Sequence, residues 1–150
     1  MQKIRIVAVG GLKEKFWKDA IAEFEKRLSK FCDFEIVEVE EKANLPLTQK
    51  IEKESESILS KCKGKIFLFD RAGAETSSED LARLLKDFCD EPVLTFVVGG
   101  SNGVSELLKQ KATKKLRFGT ATFPHQLFRV MATEQIYRAF CICANLPYHK

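Results

Sequence analysis

Short apolar runs alternate with helix-patterned segments along this 150-residue chain, and that alternation constrains the fold more than any other feature. Residues 4–9, 66–69 and 93–98 are apolar with no in-and-out alternation, the pattern of strands covered on both faces. Residues 34–39 and 116–118 read as two further strands. Helical spacing fills the gaps between them. Over 16–31, Phe16, Ala20, Phe24, Leu28 and Phe31 recur every three or four residues and predict one inward face. Residues 48–62 form a charged helix with Ile51, Ile58 and Leu59 inward, and Ser77 with Asp80 makes a capping-box start for a helix carrying Leu81, Leu84, Leu85 and Phe88. A further helix ends near Ala112, and a long one starts near Pro124, a favoured first-turn residue. Strands alternating with helices predict an α/β fold with a mostly parallel sheet covered by helices. No repeat or linker interrupts the pattern, so one domain over 1–150 is expected.

No apolar run approaches the roughly 20 residues of a membrane span, and the first residues enter a strand without a signal-peptide core. A cytoplasmic location with no membrane partner is expected. The five cysteines are scattered and make no C-x-x-C pair, which favours free thiols and no metal site. Charge is uneven. From residue 109 onward eight Lys and Arg face Glu134 alone, whereas the first 108 residues carry 17 basic and 20 acidic side chains. A basic final third on a mildly acidic body suits a polyanionic partner or a solvated basic face.

Two groups of residues are candidates for chemistry. Three predicted strand ends, around Phe69, at Gly99-Gly100-Ser101-Asn102-Gly103 and at Phe118-Gly119-Thr120-Ala121-Thr122-Phe123, fall where open α/β sheets bind ligands. The glycine-rich turn has neither dinucleotide-fold nor P-loop spacing, and a tight turn explains it equally well; the coincidence of three ends favours an adenosine-like ligand. The second group is the C-terminus, where both histidines and both tyrosines lie in the last 29 residues. The final helix is apolar around most of its circumference through Leu127, Val130, Met131, Ile136, Tyr137 and Phe140, which predicts burial on all sides and a partner subunit. Glu134 and Arg138 stand one turn apart on it. The tail Pro147-Tyr148-His149-Lys150 is a chain end, so removing it should cost the fold little.

These motifs resemble one family over essentially the whole chain: the SPOUT-class methyltransferases that modify N3 of a pseudouridine in large-subunit (23S) ribosomal RNA. The resemblance rests on the opening strand to Gly10, Val97-Val98-Gly99-Gly100-Ser101, Thr122-Phe123-Pro124-His125-Gln126-Leu127 with Arg129-Val130, Glu134-Gln135-Ile136-Tyr137-Arg138-Ala139, and the terminal Pro147-Tyr148-His149-Lys150. It implies a C-terminal trefoil knot, a homodimer, S-adenosylmethionine as methyl donor and 23S rRNA within the ribosome as partner. By position it implies a donor pocket of Phe69, Gly100, Phe118, Gly119, Thr120, Ala121, Thr122 and Phe123. Where the family usually carries a Leu-Ser-Leu-Ser-like stretch this chain reads Leu116-Arg117-Phe118-Gly119, so a hydroxyl contact at Gly119 is lost.

Loss of the N3 proton needs a base or a cation that stabilises the anion, and Arg138, His125, Tyr148 and His149 are the candidates. Arg138 is expected to polarise the ring oxygens, the tail to position the base and His125 to shape the site. Glu134 either orients Arg138 or acts as base. A tail reaching across a dimer would make the site composite. Lys114, Lys115, Arg117, Arg129 and Lys150 are expected to contact RNA. Competing readings are another SPOUT RNA methyltransferase (ribose 2′-O or another base), a non-catalytic ribosome-binding protein and a nucleotide-binding regulator.

Overall fold

The apolar runs become the inner strands of a sheet, and the runs that carry charges become its edges. The computed structural model describes residues 1–150. Its five strands are β1 (Lys3–Val9), β2 (Asp33–Val39), β3 (Lys65–Glu75), β4 (Val93–Val98) and β5 (Lys114–Arg117), in the order β2-β1-β4-β3-β5. All neighbours pair in parallel. β1, β4 and β3 lie inside, where side chains on both faces must be apolar; β2 and β5 lie at the rims and hold acids and lysines. Charged residues on β5 also discourage pairing with another chain.

Five helices cover the two faces: α1 (Lys15–Leu28), α2 (Leu47–Lys61), α3 (Ser78–Asp87), α4 (Glu106–Lys111) and α5 (His125–Cys143). Side chains on successive strand residues point to opposite faces. Ile4, Ile6 and Ala8 of β1 therefore join Phe67, Phe96, Leu81 and Ile136 in the larger core, under α1, α3 and α5. Val7 faces the other way, with Val97, Leu68, Ile58 and Leu108, under α2 and α4. Burial of each Val, Leu, Ile or Phe side chain among these contributes about 1.5–3 kcal/mol. The capping box at α3 forms as expected: Asp80 N donates to Ser77 Oγ at 3.0 Å and Ser77 N donates to Asp80 Oδ2 at 2.9 Å.

Two expectations about elements change. The strand expected to end near Phe69 continues to Glu75, with a break in register: Leu116 of β5 pairs with both Phe69 and Ala74. Residues 70–73 loop out between these pairings, and the chain returns so close to β5 that a Cβ at Gly73 would stand 2.7 Å from the backbone of Leu116. Only glycine fits that approach. The second change concerns α1. Its inner face is Ile21 and Leu28, with Phe24 half-buried; Phe16 is 61% exposed and packs edge-on against Trp17, while Phe31 lies beyond the helix and stacks on Phe140. The three-to-four spacing is present, but the first turn has nothing beneath it in this chain.

α5 lies on the sheet between α1 and α3. Its buried line is Arg129, Ala132, Thr133, Ile136, Ala139 and Cys141, while Leu127, Val130, Met131 and Tyr137 remain half-buried. Two flanking helices thus cover much of the circumference that was expected to need a partner subunit. All five cysteines are free. Burial pushes the Cys32 thiol up to about 12 and the Cys62 thiol to about 11, as inert structural thiols require. No group of three or more potential metal ligands exists, and no helix is long and apolar enough to cross a membrane.

Candidate active site

The loop from β5 to α5 is the first part of the site. Phe118 lies 5.1 Å from Phe69, ring centre to ring centre, and both pack on Phe128, at 5.5 and 5.1 Å. Phe123 joins Phe128 at 6.2 Å. Three of the expected donor-pocket residues therefore form one aromatic wall, and Phe128, which no sequence motif singled out, is its centre. Thr120, Ala121 and Thr122 are exposed. No hydrogen bond within the chain uses the backbone N–H or C=O groups of 118–123, so a ligand can reach them. Gly119 has φ +125°, with open space where a Cβ would stand. The serine expected from the family pattern would be strained there, so the departure at this position changes the backbone as well as removing a hydroxyl.

The glycine-rich turn after β4 is the second part. Gly100 and Gly103 form an isolated bridge, with Gly103 N donating to Gly100 O at 3.1 Å, and Gly103 has φ +82°. The missing side chain of Gly100 points inward: a Cβ would come within 2.8 Å of Glu54 Oε1. A side chain here would have to displace the buried Glu54 carboxylate, so α2 beneath the turn favours glycine at this position.

The C-terminal cluster is the third part. Glu134 grips Arg138 with both oxygens: Arg138 Nε donates to Oε1 at 3.1 Å and Nη2 to Oε2 at 2.8 Å. These bonds hold the guanidinium above its usual pKa. The tail folds back onto its own α5. Tyr148 Oη donates to Glu134 Oε2 at 3.0 Å, the Arg138 guanidinium sits 4.8 Å over the Tyr148 ring, and Tyr148 meets Tyr137 edge-on at 4.7 Å. Burial, then the bond to Glu134, raises the Tyr148 hydroxyl above its ordinary value. His149 is held from both sides, with Nδ1 3.2 Å from Arg138 Nη1 and Nε2 2.7 Å from Glu79 Oε1. Arginine can only donate, so Nδ1 accepts and Nε2–H donates to Glu79. The hydrogen bond from His149 holds the Glu79 carboxyl below its ordinary range. Glu79, at the start of α3, is a second residue that sequence reasoning missed; its only signal was an acid in a helical first turn.

A cleft of about 540 Å³ joins the first and third parts. It is lined by Phe118, by Val130, Met131 and Glu134 of α5, and by Ser77 and Ser78 where α3 begins. His125 lies apart from the cluster, exposed as the first residue of α5.

The expected RNA contacts divide. Lys114, Lys115 and Lys150 are exposed; Lys114 and Lys115 stand on the rim strand β5. Arg117 is half-buried, with Nε unpartnered. Arg129 is 3% exposed and committed to the fold: its guanidinium bonds Glu38 Oε2, and its Nη2 donates to Gly10 O at 2.9 Å. It ties α5 to the end of β1, and its burial, with Nε unpartnered, keeps it from a phosphate. Charge sign alone cannot separate such an arginine from a surface one.

Known proteins resemble this chain nearly end to end. A family model described as "Predicted SPOUT methyltransferase" matches residues 2–149. A protein of Ligilactobacillus salivarius named ribosomal RNA large subunit methyltransferase H is 47% identical over 157 residues, covering 98% of this chain and 99% of its own. Proteins of the same name from Latilactobacillus sakei and Streptococcus uberis are 45% and 44% identical, covering 98% and 99% of this chain and 99% of each relative. The strand-end loop, the glycine turn and the terminal cluster all lie inside the matched region, and the chain belongs to the SPOUT methyltransferase family.

Proposed function

We propose that this chain, acting as one domain over 1–150, methylates N3 of a pseudouridine in large-subunit (23S) ribosomal RNA, using S-adenosylmethionine and taking the assembled ribosome as substrate. The observation that carries the reading is the single cleft in which Phe118 of the strand-end loop faces Glu134 of the terminal cluster. The nearly end-to-end similarity to proteins named large-subunit rRNA methyltransferases supports it. The residues present fit the methyl donor. Aromatic rings line one wall, and the unbonded backbone of 118–123 offers donors and acceptors to a purine and its ribose. When bound, S-adenosylmethionine supplies a methyl group from its sulfonium. The family's trefoil knot belongs to the same reading, supported by the family match over residues 2–149. So does a homodimer, supported by exposed Phe16 and by the half-buried apolar side of α5.

The chain's own groups divide the work. Glu134 already accepts three hydrogen bonds, two from Arg138 and one from Tyr148, so its role is to orient and not to act as base. Arg138 has five N–H donors and spends three on Glu134 and His149, leaving one on each terminal nitrogen for the oxygens of the target ring. Held in place beforehand, the guanidinium stabilises the anion left when N3 loses its proton. Tyr148 and His149 fix that guanidinium from the ring side and the tail side, and exposed His125 shapes the approach to the loop. Lys114, Lys115 and Lys150, with Arg117, steer rRNA phosphates. Mass spectrometry of ribosomal RNA from a strain lacking the gene tests the reading: the methyl group on N3 of one large-subunit pseudouridine should vanish and return on complementation. Unchanged rRNA would sink it.

A further inference from the structure

Seven polar or charged residues are buried in this chain, and three of them, Lys50, Glu54 and Ser55, lie together on α2. Burying such groups is costly unless each meets a partner, so their grouping requires an explanation. All three address the turn after β4. Lys50 Nζ donates to Asn102 Oδ1 at 2.8 Å. Ser55 Oγ accepts from Ser105 N at 2.9 Å. Glu54, 1% exposed, accepts from Lys42 N through Oε2 at 3.0 Å and turns its other oxygen, which has no partner, toward Gly100. Lys50 and Glu54 are 3.8 Å apart and balance each other's charge beneath the turn.

We propose that Lys50, Glu54 and Ser55 are positioning residues that hold the Gly99-to-Gly103 turn in the one conformation that presents Gly100 to the methyl donor. The inference rests on the reading that Gly100 borders the site for S-adenosylmethionine. The turn has few bonds of its own: the Gly100–Gly103 bridge is one, and Gly103 sits in the left-handed region, where glycine has many alternatives. Lys50 holds it at Asn102, and Ser55 holds the chain just beyond it at Ser105. Glu54 fills the space beneath Gly100, so the backbone there cannot sink toward α2. Chemistry occurs elsewhere, at the terminal cluster. Loosening the turn should therefore weaken donor binding and spare the chemical step.

The test uses the full chain with S-adenosylmethionine as calorimetric probe, and ribosomes with labelled donor for kinetics. Lys50→Met leaves Asn102 unpartnered, and Asn102→Ala removes the same bond from the exposed side without entering the core. Each should weaken donor binding about tenfold and raise the donor KM equally, with kcat at saturating donor and ribosome affinity unchanged. Glu54→Gln keeps an acceptor for Lys42 N but abolishes the charge pairing, and should give a smaller loss of the same kind. Donor affinity within about twofold of wild type in folded Asn102→Ala would overturn the inference. Equal losses in kcat and ribosome binding would overturn it too, by marking a merely structural role. If Lys50→Met fails to fold, Asn102→Ala decides alone. Wild-type protein that binds no S-adenosylmethionine would fail the donor reading itself, and the inference with it.

Discussion

The strand-end part of the site is built of phenylalanine and bare backbone; the tail part is a network of charged and hydroxyl groups, and the cleft touches each through one residue, Phe118 and Glu134. Phe69, Phe118 and Phe128 touch through ring faces and edges. At the tail, Glu134, Arg138, Tyr148, His149 and Glu79 are linked by five hydrogen bonds running from α5 through the tail to α3. The difference follows from what each side has to do. Recognition by backbone depends on where the chain runs, so the residues that matter are those that set its path, glycines first. Recognition by side chains depends on individual groups, so single truncations strike directly.

The largest expected effect tests the tail side. Arg138→Ala should lower single-turnover methylation of ribosomes about 10²–10³-fold, with donor affinity unchanged, because its guanidinium acts on charge that develops in the transition state. A chain ending at Leu146 should lose at least as much activity. It should also melt lower, by about 3 °C, since it gives up the bonds of Tyr148 to Glu134 and of His149 to Glu79. The sequence alone led to an expendable tail; its docking onto α5 and α3 makes it part of the fold. Wild-type rates from the truncated chain would remove the tail from the site.

The next effect tests the strand-end side. Gly73→Ala inserts a methyl group against the Leu116 backbone, where neither strand can yield easily. It should destabilise by about 1–3 kcal/mol, read as a lower urea midpoint at constant slope. It should also weaken donor binding, since Leu116 leads directly into 118–123. A neutral Gly73→Ala would show that this side tolerates displacement and that its path is not the source of specificity. A smaller effect lies outside the cleft: replacing Lys114 and Lys115 by Gln should reduce the slope of log ribosome affinity against log salt by about 2. An unchanged slope would leave the two lysines as protection of the β5 rim.

Much of this division was legible in the sequence, and the failures share a cause. The central strands showed themselves because residues covered on both faces must all be apolar, as in Val93–Val98. Phe118 follows β5 as expected, whereas Phe69 lies inside β3, because the register break that carries the strand on to Glu75 has no local sequence pattern. Arg129 was misread because its sign is the same whether it meets a phosphate or, as here, Glu38 and the Gly10 carbonyl. Phe16 kept the helical spacing yet points to solvent, because spacing records which residues align and not whether anything lies beneath them. Glu79 and Glu54 were invisible for a further reason. Their roles arise from contacts 70 residues away in sequence for Glu79 and with the turn at Gly100 for Glu54, and no local pattern encodes such a meeting.

The smallest effect isolates the last link of the tail network. Glu79 is exposed and its carboxyl is held below the ordinary range chiefly by the hydrogen bond from His149. A depressed carboxyl pKa stabilises the fold above the unfolded value, about 4.3 for glutamate, and that contribution is lost as pH falls through the lower folded value. Glu79→Gln keeps an oxygen that can accept from His149 Nε2–H but carries no charge, so the comparison reads the charge alone. The wild type should melt slightly higher than Glu79→Gln near neutral pH. The gap should hold down to about pH 5 and close below it, because a protonated glutamic acid and the neutral amide of the variant differ little. Donor affinity should be identical in the two proteins throughout, since the network and the strand-end loop meet only across the cleft. A melting gap that persists unchanged to about pH 3 would mean that Glu79 acts through packing and not through its charge on His149. A parallel change in donor affinity would mean that the two sides of the cleft are not independent.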